Sequence, residues 1–259
     1  MKKITIKKII KKKGKKPIVC LTAYSKSISQ IVDKYCDIIL VGDSLGMVLY
    51  GMKNTREVKI ETMLLHAKTV KRFARKSLVV FDMPYKTYTN KFVAYKNAKR
   101  VMKQTKCDAI KLEGGKEIVN IIKYLSKNKI PVMGHIGLLP QTSLNFKVKG
   151  KSFIQKKKIL EDAKAVSNSG VFSIIIECVV ENLAKKITQS VSVPTIGIGA
   201  SKYCDGQILV VDDILGFSDF HPKFVKQYSN LSKVIEKCVK SYVKDVKLRR
   251  FPSYKNVYK

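Results

Sequence analysis

SLVVFDM, at positions 77–83, is a mostly apolar run around two β-branched valines that carries an aspartate, Asp82, near its end. A parallel strand covered on both faces reads as such an unbroken run, whereas a half-exposed strand alternates. The same design recurs outward in both directions. Upstream stand PIVCLTAY (17–24) and DIILVGD (37–43); downstream stand DAIKLEG (108–114), PVMGHIG (131–137), FSIIIEC (172–178), VPTIGIGA (193–200) and QILVVD (207–212). Helical periodicity fills most of the intervals. Met63, Ala67, Val70 and Ala74 share one helical face, and Phe224, Tyr228, Leu231, Ile235, Cys238 and Tyr242 form a long apolar stripe after the last run.

Eight strands alternating with helices build either a doubly wound sheet or a closed barrel. No G-x-G-x-x-G follows the first strand, no Walker A sequence occurs, and the Gly-Ile-Gly-Ala of 197–200 is too short for a dinucleotide signature. A chain of 259 residues has the size of one (β/α)8 unit. The expected fold is therefore α/β, a single-domain (β/α)8 TIM barrel spanning 1–259. A short basic N-terminal helix, with Ile4, Ile6, Ile9 and Ile10 laid against the domain, is expected to precede the first strand. Residues 147–158 are expected to form a mobile loop.

The formal charge of +33 first suggests nucleic acid. Only six of the basic residues are Arg, however, and the lysines spread along nearly the whole chain. Base-edge and bidentate phosphate recognition favours clustered Arg with aromatic neighbours. A lysine-rich solvated exterior is the simpler reading, so no nucleic-acid partner is expected. Six scattered cysteines without a CxxC pair argue against zinc and against a disulfide framework, and fit a reducing cytoplasm. No apolar stretch reaches about 18 residues, so no membrane span is expected. Residues 1–16 hold nine Lys but no run suited to a signal peptide.

Polar residues gather where the strands end. The second ends in Gly42-Asp43-Ser44, the third carries Asp82, the fourth Lys111 and Glu113, the fifth His135 and the sixth Glu177. Barrel enzymes place their sites at this end of the strands. Lys111 and Glu113 are two apart, so both face the lumen while Ile110 and Leu112 face the helices. Each residue alone has a plainer reading. An aspartate after a strand is often a helix cap or a turn residue, and a Lys–Glu pair can be a buried tie. His135 reads equally as a satisfied core histidine, and the sequence leaves both readings open. Glu177 follows three consecutive isoleucines, where an unpaired carboxylate costs several kcal/mol. Five neighbouring strands with charge at one end is what outweighs the plainer readings.

Asp43, Asp82 and Glu113, without Cys or His partners, suit a hard divalent ion such as Mg²⁺ rather than Zn²⁺. A 2-oxo acid could chelate that ion, with Lys111 and Ser44 neutralising its carboxylate. The chelated keto group would acidify the adjacent C–H, and Glu177 would move the proton. The residues thus point to metal-stabilised enolate chemistry on a small oxo acid.

The local sequences also resemble a known family. LTAYS (21–25), ILVGDSLGMVLYG (39–51), FDMPYKTY (81–88), AIKLEGG (109–115), PVMGHIGLLPQ (131–141), IIIECV (174–179), VPTIGIGA with DGQILV (205–210), and HPKFVKQY (221–228) are similar, in order and spacing, to ketopantoate hydroxymethyltransferase. The resemblance implies a Mg²⁺-dependent barrel that transfers a one-carbon unit from 5,10-methylenetetrahydrofolate to 3-methyl-2-oxobutanoate, giving 2-dehydropantoate. It further implies that Asp43, Asp82 and Glu113 surround the metal, that Ser44 and Lys111 hold the keto acid, and that Glu177 accepts the proton. A cytoplasmic homo-oligomer, often a decamer, is implied as well. Two departures stand out: the loop after Gln141 is short before Lys147-Val148-Lys149-Gly150, and Lys86 replaces an apolar residue. VGDS alone would also suit phosphoenolpyruvate mutase and isocitrate lyase barrels. Those need a catalytic Cys loop after strand four, where this chain has Gly114-Gly115-Lys116.

Overall fold

The computed structural model describes residues 3–143, 146–218 and 222–258; Leu144 and Asn145 of the shortened loop, and His221, lie outside them. By internal contacts the chain divides into two compact units, Met1–Val210 and Val211–Lys259.

The first unit starts with helix α1 (Ile6–Ile10) and strand β1 (Ile18–Thr22), followed by α2 (Lys26–Tyr35), β2 (Ile38–Val41), α3 (Leu45–Tyr50) and α4 (Ile60–Phe73). It continues through β3 (Leu78–Asp82), α5 (Lys91–Thr105), β4 (Ala109–Glu113), α6 (Val119–Lys127), β5 (Val132–Gly137) and α7 (Phe153–Ser167). It closes with β6 (Ser173–Glu177), α8 (Glu181–Ser190), β7 (Thr195–Ile198) and β8 (Gly206–Leu209). The eight strands form a closed barrel in sequential order, every neighbouring pair parallel, with β8 returning to β1. This is the (β/α)8 TIM barrel. Between β7 and β8 the chain makes only turns and bends.

Alternation along each strand sends one set of side chains inward. Ile18, Ile38, Leu78, Ala109, Met133, Ile175, Ile196 and Ile208, one from each strand, belong to a single buried cluster. Ala109 lies in that cluster two residues before Lys111, so Lys111 and Glu113 follow it up the lumen face. The expected N-terminal helix is α1: Ile9 is wholly buried in the lumen cluster, and Ile4 and Ile6 pack against it.

Aspartates tie down the end of the barrel where the strands begin. Asp37 accepts from Val19 N–H (3.0 Å) and pairs with Lys12 (2.6 Å). Asp108 accepts from Val79 N–H (2.9 Å) and pairs with Lys3 (2.6 Å) and with Lys71. Asp205 accepts from Thr195 N–H and Gly14 N–H, each at 2.8 Å, and pairs with Lys13 at 2.8 Å. Asp33 of α2 accepts the N–H groups of Arg75, Lys76 and Ser77 just before β3. Three lysines of the basic N-terminal segment therefore have specific structural partners.

Two expectations are corrected. Residues 153–158 of the proposed mobile loop belong to α7, which Ser152 caps by accepting from Gln155 N–H and which buries Ile159, Ala163 and Val166. Asp212 does not end a strand but lies in α9 (Val211–Leu215) of the second unit. That unit also holds α10 (Leu231–Lys247), which Asn230 caps; Phe224 and Tyr228 of the apolar stripe precede it. None of the residues of α10 is buried. Among the described residues, no helix is long and apolar enough to cross a membrane.

Candidate active site at the barrel's C-terminal rim

Strand register brings the polar residues together. Asp82 of β3 pairs with Lys111 of β4, Glu113 pairs with His135 of β5, and Gly137 pairs with Glu177 of β6. Asp43 follows β2 after Gly42, and its N–H donates to Asp82 Oδ2 at 3.3 Å. Asp43, Asp82, Lys111, Glu113 and His135 are all at most 5% exposed. The Glu177 side chain is more open, at 14%.

Lys111 sits in the middle. Its Nζ lies 2.7 and 2.9 Å from the two oxygens of Asp82 and 3.3 Å from Glu113 Oε1. His135 lies beyond: Nδ1 is 3.4 Å from Glu113 Oε1 and Nε2 is 3.3 Å from Glu177 Oε2. Neither imidazole nitrogen makes a well-directed hydrogen bond, so both contacts are charge contacts. Both readings of His135 meet here, since it is a buried core histidine that also joins Glu113 to Glu177.

The carboxylates respond to burial in opposite ways. Loss of water, then the charge of Asp82, pushes Asp43 well above the usual carboxylate range. Burial likewise raises Asp82, against the pull of Lys111. In Glu113 burial is outweighed by Lys111 and His135, which bring it down to about 2. Burial and Lys111 oppose a charged His135, but Glu113 and Glu177 prevail and lift it to about 9. Lys111 stays charged, because Asp82 and Glu113 overcome its desolvation.

The surrounding loops add residues that sequence reasoning did not single out. Gln141, after β5, donates through Nε2 to Asp43 Oδ2 (2.8 Å) and to the Met83 carbonyl (3.0 Å), and its N–H donates to Glu113 Oε2 (3.1 Å). Tyr88, after β3, donates to Gln141 Oε1. Tyr24, after β1, bonds Ser44 Oγ at 2.8 Å, which places Ser44 beside the acid group. Ser44 opens α3 without a side-chain cap bond, so its hydroxyl is not spent on the helix. Gly137 is a steric necessity: a Cβ there would lie 2.4 Å from the Glu177 carbonyl, which accepts from Leu138 N–H at 2.8 Å. Gly115 has a comparable reason, since its Cβ would strike Asp162, which accepts from Lys116 N–H.

Among the described residues no group of three or more His, Cys, Asp or Glu is arranged to hold a metal ion. Glu113 has both oxygens engaged, one by Lys111 and His135 and the other by Gln141 N–H. Asp82 is likewise engaged on both oxygens, by Lys111 and by Asp43 N–H, whereas among the described residues Asp43 is engaged through Oδ2 alone. Three buried carboxylates gathered around Lys111, offering oxygen donors only, fit a hard divalent cation that retains waters.

A family model described as ketopantoate hydroxymethyltransferase matches residues 3–254. A 3-methyl-2-oxobutanoate hydroxymethyltransferase of Pelagibacter ubique (strain HTCC1062) is 54% identical over 249 residues, covering 96% of this chain and 97% of its own. The Rhizobium etli (strain ATCC 51251 / DSM 11541 / JCM 21823 / NBRC 15573 / CFN 42) protein of the same name is 49% identical over 263 residues, covering 100% of this chain and 96% of its own. Among solved structures, a phosphonopyruvate hydrolase superposes with a TM-score of 0.65 at 10% identity, over 98% of this chain and 93% of that one. A 2,3-dimethylmalate lyase superposes at 0.64, also at 10% identity, over 96% and 85%. At that identity these two speak for the fold alone. Identity and coverage with the relatives speak for more: this chain belongs to the ketopantoate hydroxymethyltransferase family and is an enzyme, a transferase.

Proposed function

We propose that the chain transfers a hydroxymethyl group from 5,10-methylenetetrahydrofolate to 3-methyl-2-oxobutanoate, forming 2-dehydropantoate for pantothenate synthesis. The names of its relatives support the acceptor and the group transferred. The observation that carries the reading is the convergence of Asp43, Asp82, Lys111 and Glu177, from the ends of β2, β3, β4 and β6, on one rim.

In this reading Asp43, Asp82 and Glu113 would surround Mg²⁺, with Glu113 also anchoring Lys111. When bound, the ion supplies Lewis-acid polarisation of the keto group, which acidifies the neighbouring C–H. Lys111 and the Ser44 hydroxyl neutralise and orient the acid's carboxylate. Glu177 accepts the C3 proton as the C3–H bond breaks, and C3 bonds to the methylene carbon. The two C–N bonds from that carbon to the folate break, and water supplies the hydroxyl. Its remaining proton and the one from Glu177 pass to the folate nitrogens, leaving tetrahydrofolate. His135 contacts Glu177 from 3.3 Å and steadies it. The buried rim keeps bulk water from competing for the proton.

A cytoplasmic setting belongs to the same proposal, supported by six cysteines that are all free. So does a homo-oligomer, decameric in the resemblance, since Val234, Ile235, Val239 and Tyr242 of α10 are all exposed apolar residues. The test is product formation: purified chain, Mg²⁺, the keto acid and the folate should yield 2-dehydropantoate by NMR. Absence of product with an active family member run in parallel would refute the proposal.

A further inference from the structure

Among the described residues Gln141 is the one uncharged side chain that hydrogen-bonds a rim carboxylate, and every hydrogen-bonding group it has is used. Its two amide N–H groups go to Asp43 Oδ2 and the Met83 carbonyl, at 2.8 and 3.0 Å. Its Oε1 accepts from the Tyr88 hydroxyl. Its main-chain N–H donates to Glu113 Oε2 at 3.1 Å, and its carbonyl accepts from Arg56 Nε at 3.0 Å. The residue is 1% exposed. A flipped amide would turn Oε1 onto two acceptors, Asp43 and Met83, and leave the Tyr88 donor facing NH₂. The three partners therefore permit one orientation only.

That orientation has a consequence for Asp43. Oδ2 is committed to Gln141, while Oδ1 has no hydrogen bond among the described residues. Asp82 is engaged on both oxygens by Lys111 and, at Oδ2, by Asp43 N–H. Resting on the metal reading above, we propose that Gln141, locked by Tyr88, is a positioning residue that fixes the Asp43 carboxylate so that Oδ1 is the oxygen offered to the divalent cation. Partners that orient a metal's carboxylate ligand typically contribute 10–100-fold to affinity. Burial, together with the charge of Glu113, holds the Tyr88 hydroxyl far above its usual range, so it remains a donor.

The test reads metal affinity without turnover, using Mn²⁺ alone and the EPR signal of the free ion. Gln141→Met keeps the length of the side chain but removes both donors, and should weaken Mn²⁺ binding by about 10–100-fold. Tyr88→Phe removes only the hydroxyl that locks the amide, and should weaken it by about 3–10-fold. A purely structural role would lower the melting midpoint of both variants and leave the Mn²⁺ affinity of the folded protein unmoved. A folded Gln141→Met variant that binds within about twofold of the unaltered chain overturns the inference. If that variant does not fold, unchanged binding by Tyr88→Phe overturns it instead. An unaltered chain that binds no Mn²⁺ overturns the metal reading itself, and the role of Gln141 with it.

Discussion

The two ends of the barrel use the same residue type to opposite effect. Where the strands begin, Asp33, Asp108 and Asp205 are buried enough to resist ionisation. Backbone N–H groups at Asp33, and lysines followed by backbone N–H groups at Asp108 and Asp205, nonetheless bring all three below the usual range. Where the strands end, Asp43 and Asp82 lie above that range, because burial and a neighbouring acid, Asp82 for the first and Glu113 for the second, outweigh the pull of Lys111. The first arrangement is complete in itself and stabilises the fold. The second sets four acids, Asp43, Asp82, Glu113 and Glu177, against Lys111 and His135, a balance that suits the cation and anionic substrate of the proposed function. Position along a strand, rather than residue identity, separates scaffold from chemistry.

Lys111 gives the sharpest way to break that contrast. Lys111→Met strips the only ammonium from Asp82 and Glu113, and thermal or urea unfolding should show a loss of about 3–5 kcal/mol. Added Mg²⁺ should restore more stability to this variant than to the unaltered chain, since it replaces part of the missing charge. No difference in the Mg²⁺ response would mean that the rim is not short of cations.

At the opposite end, Asp108→Asn removes the charge that pairs with Lys3 and Lys71 and should cost about 1–3 kcal/mol in the same assay. Its Mn²⁺ affinity should match that of the unaltered chain. A weakened affinity would show that the two ends are coupled, contrary to the division drawn above.

Acid stability gives the mildest effect. The folded carboxyls of Asp33, Asp108 and Asp205 titrate below the unfolded value of about 3.9. Their contribution is therefore complete above that value and is lost as pH falls through the lower folded values. The melting midpoint should hold down to about pH 5 and drop below about pH 4, less steeply in Asp108→Asn. A midpoint that is flat down to about pH 2 would remove these aspartates as stabilisers.

Much of this was readable in the chain before folding. Parallel strands announce themselves because burial on both faces demands continuous apolar runs; 77–83 and 172–178 each enclose the observed strand with one residue to spare at either end. The period-two rule placed Lys111 and Glu113 in the lumen for the same reason. What escaped depends on chain segments meeting from afar. Gln141 owes its role to Asp43 and Tyr88, 98 and 53 residues away, and nothing in its own neighbourhood signals that. The start of α7 was hidden by Lys156-Lys157-Lys158, a charge run that reads as a loop until the apolar face of Ile159, Ala163 and Val166 follows it. The stripe from Phe224 onward suggested a longer final helix than α10, because apolar spacing carries no stop signal and the Asn230 cap sets the start.

In the proposed function the strand-end rim polarises a 2-oxo acid and Glu177 takes its C3 proton. The most direct measurement is deuterium exchange at C3 of 3-methyl-2-oxobutanoate in D₂O with Mg²⁺ and no folate, followed by NMR. The unaltered chain should exchange the proton, and Glu177→Gln should slow exchange by about 10²–10⁴-fold with its melting midpoint little changed. Exchange in the variant at the unaltered rate would contradict the account.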